Sequence, residues 1–295
     1  MKNLHGLGVA LITPMDKTGE IDYTALGRLV LAHIDAGTDY LVVLGTTAET
    51  PTLSFAEKQK IVSHVVDVSQ GRIPLVLGLG GNNTQALLEE FDQWDFSNFE
   101  AILSVTPFYN RPSQKGLIAH YTALADRSPK PVLLYNVPAR TGVNMLPETV
   151  VALASHDNII GIKEATSSTA QILDLIASVP EGFLVISGDD HLAPFLMHQG
   201  GVGCISVIGN AYPKPFQELL ALSQTDPNFE QSPLYQSFQP SIDLIFKEGN
   251  PTGIKALLEI FGYLTPHLRL PLVEASTELK EQLVKTSQQS ALEAL

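Results

Sequence analysis

The chain of 295 residues contains one cysteine and one tryptophan. A lone Cys204 allows no internal disulfide and no site built from several thiolates. Basic residues are also scarce: 18 Lys and Arg stand against 31 Asp and Glu, a formal net charge of −13, and they never cluster. Nucleic acids are held by grouped positive charge, so this balance points away from a nucleic-acid partner. Long apolar runs are missing as well. The longest are strand-sized and broken by Gly, Pro or charge, short of the roughly 20 residues that cross a bilayer. The N-terminal MKNLHGLGVALITPMDKTGE has one Lys and no small-residue cleavage site. It reads as a first strand entering a turn, not as a signal peptide, and the cytoplasm is the expected compartment. No G-x-G-x-x-G follows the first strand, which argues against a dinucleotide site.

What is present is alternation. Strands are expected at Val9–Thr13, Tyr40–Leu44, Pro74–Leu77, Ala101–Val105, Val132–Tyr135, Ile159–Lys163, Leu184–Ser187 and Gly203–Ser206. Most are apolar throughout, without period-2 alternation, as suits parallel strands covered on both faces. Amphipathic stretches lie between them, including Tyr23–Ala36, Phe55–Ser69, Thr84–Phe96 and Gln171–Ser178. Ser54 with Glu57 three residues on is a capping-box pattern. Eight strand–helix units predict an α/β fold, a (β/α)8 barrel, over residues 1–224. Beyond about residue 225 the strand signal stops. Helices are expected at Leu234–Lys247, Pro251–Phe261 and Ser276–Ser290, a C-terminal helical region over 225–295.

Such barrels carry their chemistry at the C-terminal ends of the strands. Six of those ends are polar: GTTAET (45–50), TPFYNRPS (106–113), LYNVPARTG (134–142), GIKEATSS (161–168), ISGDD (186–190) and CISVIGN (204–210). Lys163 closes the apolar strand IIGIK, which aims its amine into the barrel mouth. Low-dielectric surroundings favour the free amine of a lysine, a nucleophile that can form a Schiff base with a ketone. Tyr109 and Tyr135 add phenols able to move protons. Thr46 and Thr47 offer hydroxyls and backbone N–H groups suited to a carboxylate, and Arg140 can fork onto another. Taken singly, each has a plainer reading as a solvated or packed side chain; together they outline a pocket. Asp189 and Asp190, with no third ligand at metal spacing beyond His191, are read as caps for the next helix. Trp94 is placed on a helix as packing, Cys204 as a buried small residue, and the eight histidines as surface or rim residues.

In this order and spacing the motifs resemble one family, the dihydrodipicolinate synthases. This is a branch of the pyruvate-dependent Schiff-base aldolases and lyases that also includes N-acetylneuraminate lyase. The resemblance runs from about Gly6 to Pro271 and takes in VALITPM, GTTAET, TPFYNRPSQKG, LYNVPARTG, GIKEAT, SGDD, GNPTGIKALL and LRLP. It implies condensation of pyruvate with L-aspartate 4-semialdehyde, the first committed step toward diaminopimelate and lysine, with no metal or organic cofactor. Lys163 would form the imine, Tyr135 would act over it, and Thr46, Tyr135 and Tyr109 would form a proton relay. In that relay Tyr109 crosses a dimer interface, within a homotetramer arranged as a dimer of dimers. Thr47 would hold the pyruvate carboxylate, and Arg140 that of the semialdehyde. Gly188 and Ile205 would line the site with backbone, and Asn250 would be structural. Arg111 is expected to join Arg140 and Lys163 in giving the mouth positive charge. Ala48 and Thr50 replace the family's Gly and Ser, behind the pyruvate site, and Ser167 replaces a Gly. Phe55, Lys58, Ala86 and Phe108 depart from the residues of lysine-inhibited members, and only Asn82 of that set is kept, so lysine inhibition is expected to be weak or absent. A sister aldolase acting on a sugar-derived 2-oxo acid, or a silent barrel that senses pyruvate or an amino acid, stay open as alternatives.

Overall fold

The computed structural model describes residues 4–290 and 292–295; Met1–Asn3 of the N-terminal segment and Ala291 lie outside them. Eight parallel strands close into a barrel: β1 Gly6–Ala10, β2 Tyr40–Val43, β3 Leu75–Gly78, β4 Ala101–Val105, β5 Val132–Asn136, β6 Ile159–Glu164, β7 Leu184–Ser187 and β8 Gly203–Ser206. The barrel is sealed where β1 pairs with β8, Gly6 opposite Gly203 and Val9 opposite Ser206. Interior positions hold Ala10, Tyr40, Val42, Leu103, Leu133, Tyr135, Ile186 and Ile205, a packed core and not a pore. Gly8 makes room for it: a Cβ there would lie 2.3 Å from the Tyr40 ring.

The main departure from the expected elements is β1, which runs Gly6–Ala10 and not Val9–Thr13. Its partners are short, and the ladder ends at Ala10 opposite Val42. Leu11, Ile12 and Met15 are apolar because they pack in the cluster that includes Ile254, Leu257 and Leu258 of the C-terminal helices, not because they are sheet. The helix expected over Thr84–Phe96 stops at Glu90, followed by a 3₁₀ turn at Phe91–Gln93. Trp94 therefore lies past the helix, its backbone extended and its ring 5.2 Å from Phe55.

Helix Phe55–Ser69 begins with the expected capping box, Ser54 Oγ accepting from the Glu57 N–H while Glu57 accepts from the Ser54 N–H. The C-terminal helices run Pro233–Lys247, Thr252–Ile260 and Thr277–Gln289. Phe238, Ile242 and Ile245 continue the same apolar cluster as Val9 and Tyr212, so these helices pack directly on the barrel. Two histidines are not at the surface: His33 is fully buried and His120 nearly so. Burial holds His33 at a pKa of about 3 and His120 at about 4. Each sits among helices where the imidazole ring serves as packing, with one nitrogen bonded to a threonine hydroxyl.

Candidate active site

Register decides what stands beside Lys163. Parallel pairing sets Tyr135 of β5 on one side and Ile186 of β7 on the other. The ammonium lies 4.3 Å from the Tyr135 ring centroid, is enclosed at 5% exposure, and makes no ion pair or hydrogen bond among the described residues. A cation over an aromatic face is attracted by the ring quadrupole, which holds the amine without giving it a counterion. Strand alternation sends Glu164 the other way. Its carboxylate accepts from Asn136 Nδ2 at 2.9 and 3.0 Å, the Thr166 N–H at 2.8 Å and Gln171 Nε2 at 3.2 Å. Burial raises its pKa to about 7 against the opposing pull of those donors. Gly188 leaves space for the lysine stem, since a Cβ there would lie 2.9 Å from Lys163 Cε.

The turn after β2 is built from two 3₁₀ segments, Thr46–Ala48 and Thr50–Thr52, joined at Glu49 in the left-handed region (φ 58°). Thr50 Oγ1 donates within reach of the Leu44 and Gly45 carbonyls, at 2.9 and 2.8 Å, and so fixes the start of the turn. Glu49 is buried and paired with the fully buried Lys255, Nζ to Oε1 2.5 Å, while its other oxygen takes the Arg269 N–H. Asn250 Nδ2 donates to Thr47 Oγ1 at 2.9 Å. The C-terminal region thus reaches the barrel mouth at two points.

These elements enclose a cavity of about 410 Å³. Its wall includes Lys163, Tyr135, Thr46 and Arg140 of the expected set, together with Thr50, Lys58 and Phe108. Among the described residues, three cations and no carboxylate line it, in a protein of net charge −13. A local positive field of this kind draws small anions.

Other expected residues fall elsewhere. Thr47, Gly188 and Ile205 are not on the cavity wall; Thr47 and Ile205 are buried, at 2% and 1% exposure. Tyr109 is 90% exposed at a left-handed position (φ 71°) and does not line the cavity of its own chain. Arg111 donates from Nε to the Gly142 carbonyl at 3.0 Å and does not line the cavity. Thr50 stands on the wall, not behind the site, because its hydroxyl caps the turn that forms the wall. Asp189 accepts from the His191 and Leu192 N–H groups in the turn before helix Ala193–His198, and Asp190 from the Val207 and Ile208 N–H groups. Asp189 therefore serves the turn before that helix, whereas Asp190, expected to cap the same helix, binds the turn after β8 instead. Cys204 is buried, and its thiol pKa is pushed well above the ordinary value by desolvation and by Asp190.

Sequence reasoning missed the Glu49–Lys255 pair, although both residues lie inside quoted motifs. They are 206 positions apart, and nothing local in either segment announces the other. It also counted Lys58 only as a departure from a pattern, whereas its side chain is one of the three cations of the wall.

The dihydrodipicolinate synthetase family model matches residues 3–290. The 4-hydroxy-tetrahydrodipicolinate synthase of Flavobacterium psychrophilum is 48% identical over 284 residues, 96% of this chain and 97% of its own. The crystal structure of dihydrodipicolinate synthase from Thermotoga maritima superposes with a TM-score of 0.93 at 38% identity, covering 98% of this chain and 99% of that one. The chloride-inhibited enzyme of Acinetobacter baumannii, solved with pyruvate, gives 0.94 at 35% identity over 99% and 100% of the two chains. With eight strands in the same closed barrel and the match running nearly end to end, this chain belongs to the dihydrodipicolinate synthetase family.

Proposed function

We propose that the protein is a lyase that condenses pyruvate with L-aspartate 4-semialdehyde through an imine on Lys163, the 4-hydroxy-tetrahydrodipicolinate synthase reaction of diaminopimelate and lysine biosynthesis. One observation carries the reading: an enclosed amine against the Tyr135 ring that, among the described residues, has no acid partner and shares its cavity with cations and no carboxylate. The Lys163 amine adds to C2 of pyruvate, and the carbinolamine loses water to give the imine. Loss of a methyl proton gives an enamine, whose carbon bonds to the aldehyde carbon of the second substrate. The amine of that substrate then displaces Lys163, closing a six-membered ring and freeing the enzyme. The imine is the electron sink, so these steps call for no metal or organic cofactor.

Tyr135 gives and takes protons at the carbinolamine, with Thr46 as the next hydroxyl of the relay, a role supported by their sharing the cavity wall with Lys163. Thr47 takes the pyruvate carboxylate, Gly188 and Ile205 contribute backbone, and Arg140 receives the carboxylate of the semialdehyde. Tyr109, exposed on its own chain, is presented to a second copy, and the assembly we propose is a homotetramer built as a dimer of dimers, working in the cytoplasm. The test is pyruvate-dependent loss of NADPH absorbance in a coupled assay with the downstream reductase, alongside borohydride trapping. Turnover with a reduced pyruvate adduct on Lys163 is expected. An adduct without turnover would move the protein to a sister aldolase with another aldehyde partner, and no adduct would overturn the reading.

A further inference from the structure

The Thr47 hydroxyl is buried and makes a single hydrogen bond among the described residues: it accepts from Asn250 Nδ2 at 2.9 Å. A hydroxyl can donate one bond and accept two. Here a lone pair is occupied while the proton has no acceptor among the described residues. Buried donors without an acceptor are costly, and one carried by the turn whose Thr46 and Thr50 line the cavity points to an acceptor that the ligand brings. Asn250 is itself enclosed, at 8% exposure, its Oδ1 buried and unpartnered, and its backbone carbonyl lies 3.5 Å from an Arg140 guanidinium nitrogen. The turn that carries Thr47 is held against the same C-terminal region by Glu49 and Lys255. Both ends of the Asn250–Thr47 bond are therefore anchored, and the direction of the hydroxyl is set by which end of the amide faces it.

We infer that Asn250 is a positioning residue: its amide donor makes Thr47 a hydrogen-bond donor, directed to the carboxylate of the 2-oxo acid. The inference rests on the proposed function and adds to it the origin of carboxylate selectivity. With the amide reversed, Oδ1 would face Oγ1, the hydroxyl would turn to donate to it, and the carboxylate would lose its donor. Asn250→Asp imposes that arrangement without changing shape, because both Asp oxygens accept and neither donates when ionised.

The experiment is a double-mutant cycle of Asn250→Asp with Thr47→Val, reading the KM for pyruvate, the KM for the semialdehyde, kcat and the thermal midpoint. Asn250→Ala runs in parallel should the Asp variant fail to fold. Hydrogen bonds to charged groups correspond to about 10- to 100-fold in affinity, so N250D should raise the pyruvate KM by about that factor. The semialdehyde KM should stay within about twofold, because the hydroxyl does not serve that substrate. In the T47V background the same substitution should cost almost nothing further, since the hydroxyl it acts through is gone. An unchanged pyruvate KM in N250D, or an equal penalty with and without the Thr47 hydroxyl, would overturn the inference. Failure of the unsubstituted protein to yield a borohydride-trapped pyruvate adduct would overturn the proposed function, and this inference with it. An adduct with full N250D affinity sinks this inference alone.

Discussion

Lys163 and Lys255 are both enclosed, at 5% and 0% exposure, but only Lys255 has an acid beside it. Its ammonium meets Glu49 at 2.5 Å and the His267 carbonyl at 2.8 Å, and burial still draws its pKa below the ordinary lysine value. Lys163 has an aromatic face and open cavity instead. The comparison teaches that burial by itself does not make a lysine a nucleophile. A lysine paired with an acid ties two segments together, whereas the unpaired Lys163 beside space for a ligand is the one proposed to react, through its free amine. His33 is a third enclosed base, without an acid and away from the cavity, and there burial holds the ring neutral down to a pKa of about 3.

Replacing the two lysines in turn is the most direct way to break this contrast. Lys163→Ala should lower turnover by more than about 10³-fold and abolish the trapped adduct, with the thermal midpoint nearly unchanged. Full activity in that variant would end the distinction. Lys255→Met should do the opposite. It leaves Glu49 buried without its partner and should cost about 3–5 kcal/mol of stability by chemical denaturation, and adding Glu49→Leu should return most of it. A stable single variant would mean that the pair contributes little to holding the turn.

Tyr135→Phe sharpens the Lys163 side. The ring that shelters the amine is kept while the hydroxyl is lost, so kcat should fall about 10²-fold with trapping by borohydride retained but slower. Slower trapping with unchanged steady-state turnover would remove the phenol from the relay.

His33 offers a pH test of burial without charge. Its folded pKa is depressed from 6.5 to about 3, so the unfolded chain takes up a proton that the folded chain refuses. The stability it supports is whole above 6.5 and is lost as pH falls through that window, with a slope of up to about 1.4 kcal/mol per pH unit. Denaturation midpoints of His33→Phe and the parent should converge or cross between pH 7 and pH 4. Parallel curves would contradict this. The smallest effect concerns free lysine. Lys58 lines the cavity, and Asn82 Nδ2 is bonded to the Phe108 carbonyl at 3.1 Å. With a cation at that position repelling the ligand's ammonium groups, millimolar lysine should leave the initial rate unchanged, and strong inhibition would exclude this.

Strand alternation, strand-end chemistry and capping were legible along the chain because each depends on neighbours a few residues apart. The placement of Lys163, Tyr135, Thr46 and Arg140 around one cavity could be anticipated from their positions at strand ends. The tertiary structure alone decided the rest. It stopped β1 at Ala10 because strand length depends on the partners, β2 and β8, that the run happens to meet. It enclosed His33 and His120, whose burial depends on the helices packed around them. It joined Glu49 to Lys255 and Thr47 to Asn250 across more than 200 residues, since closing the barrel and folding the last helices over it brings together groups that no local pattern links.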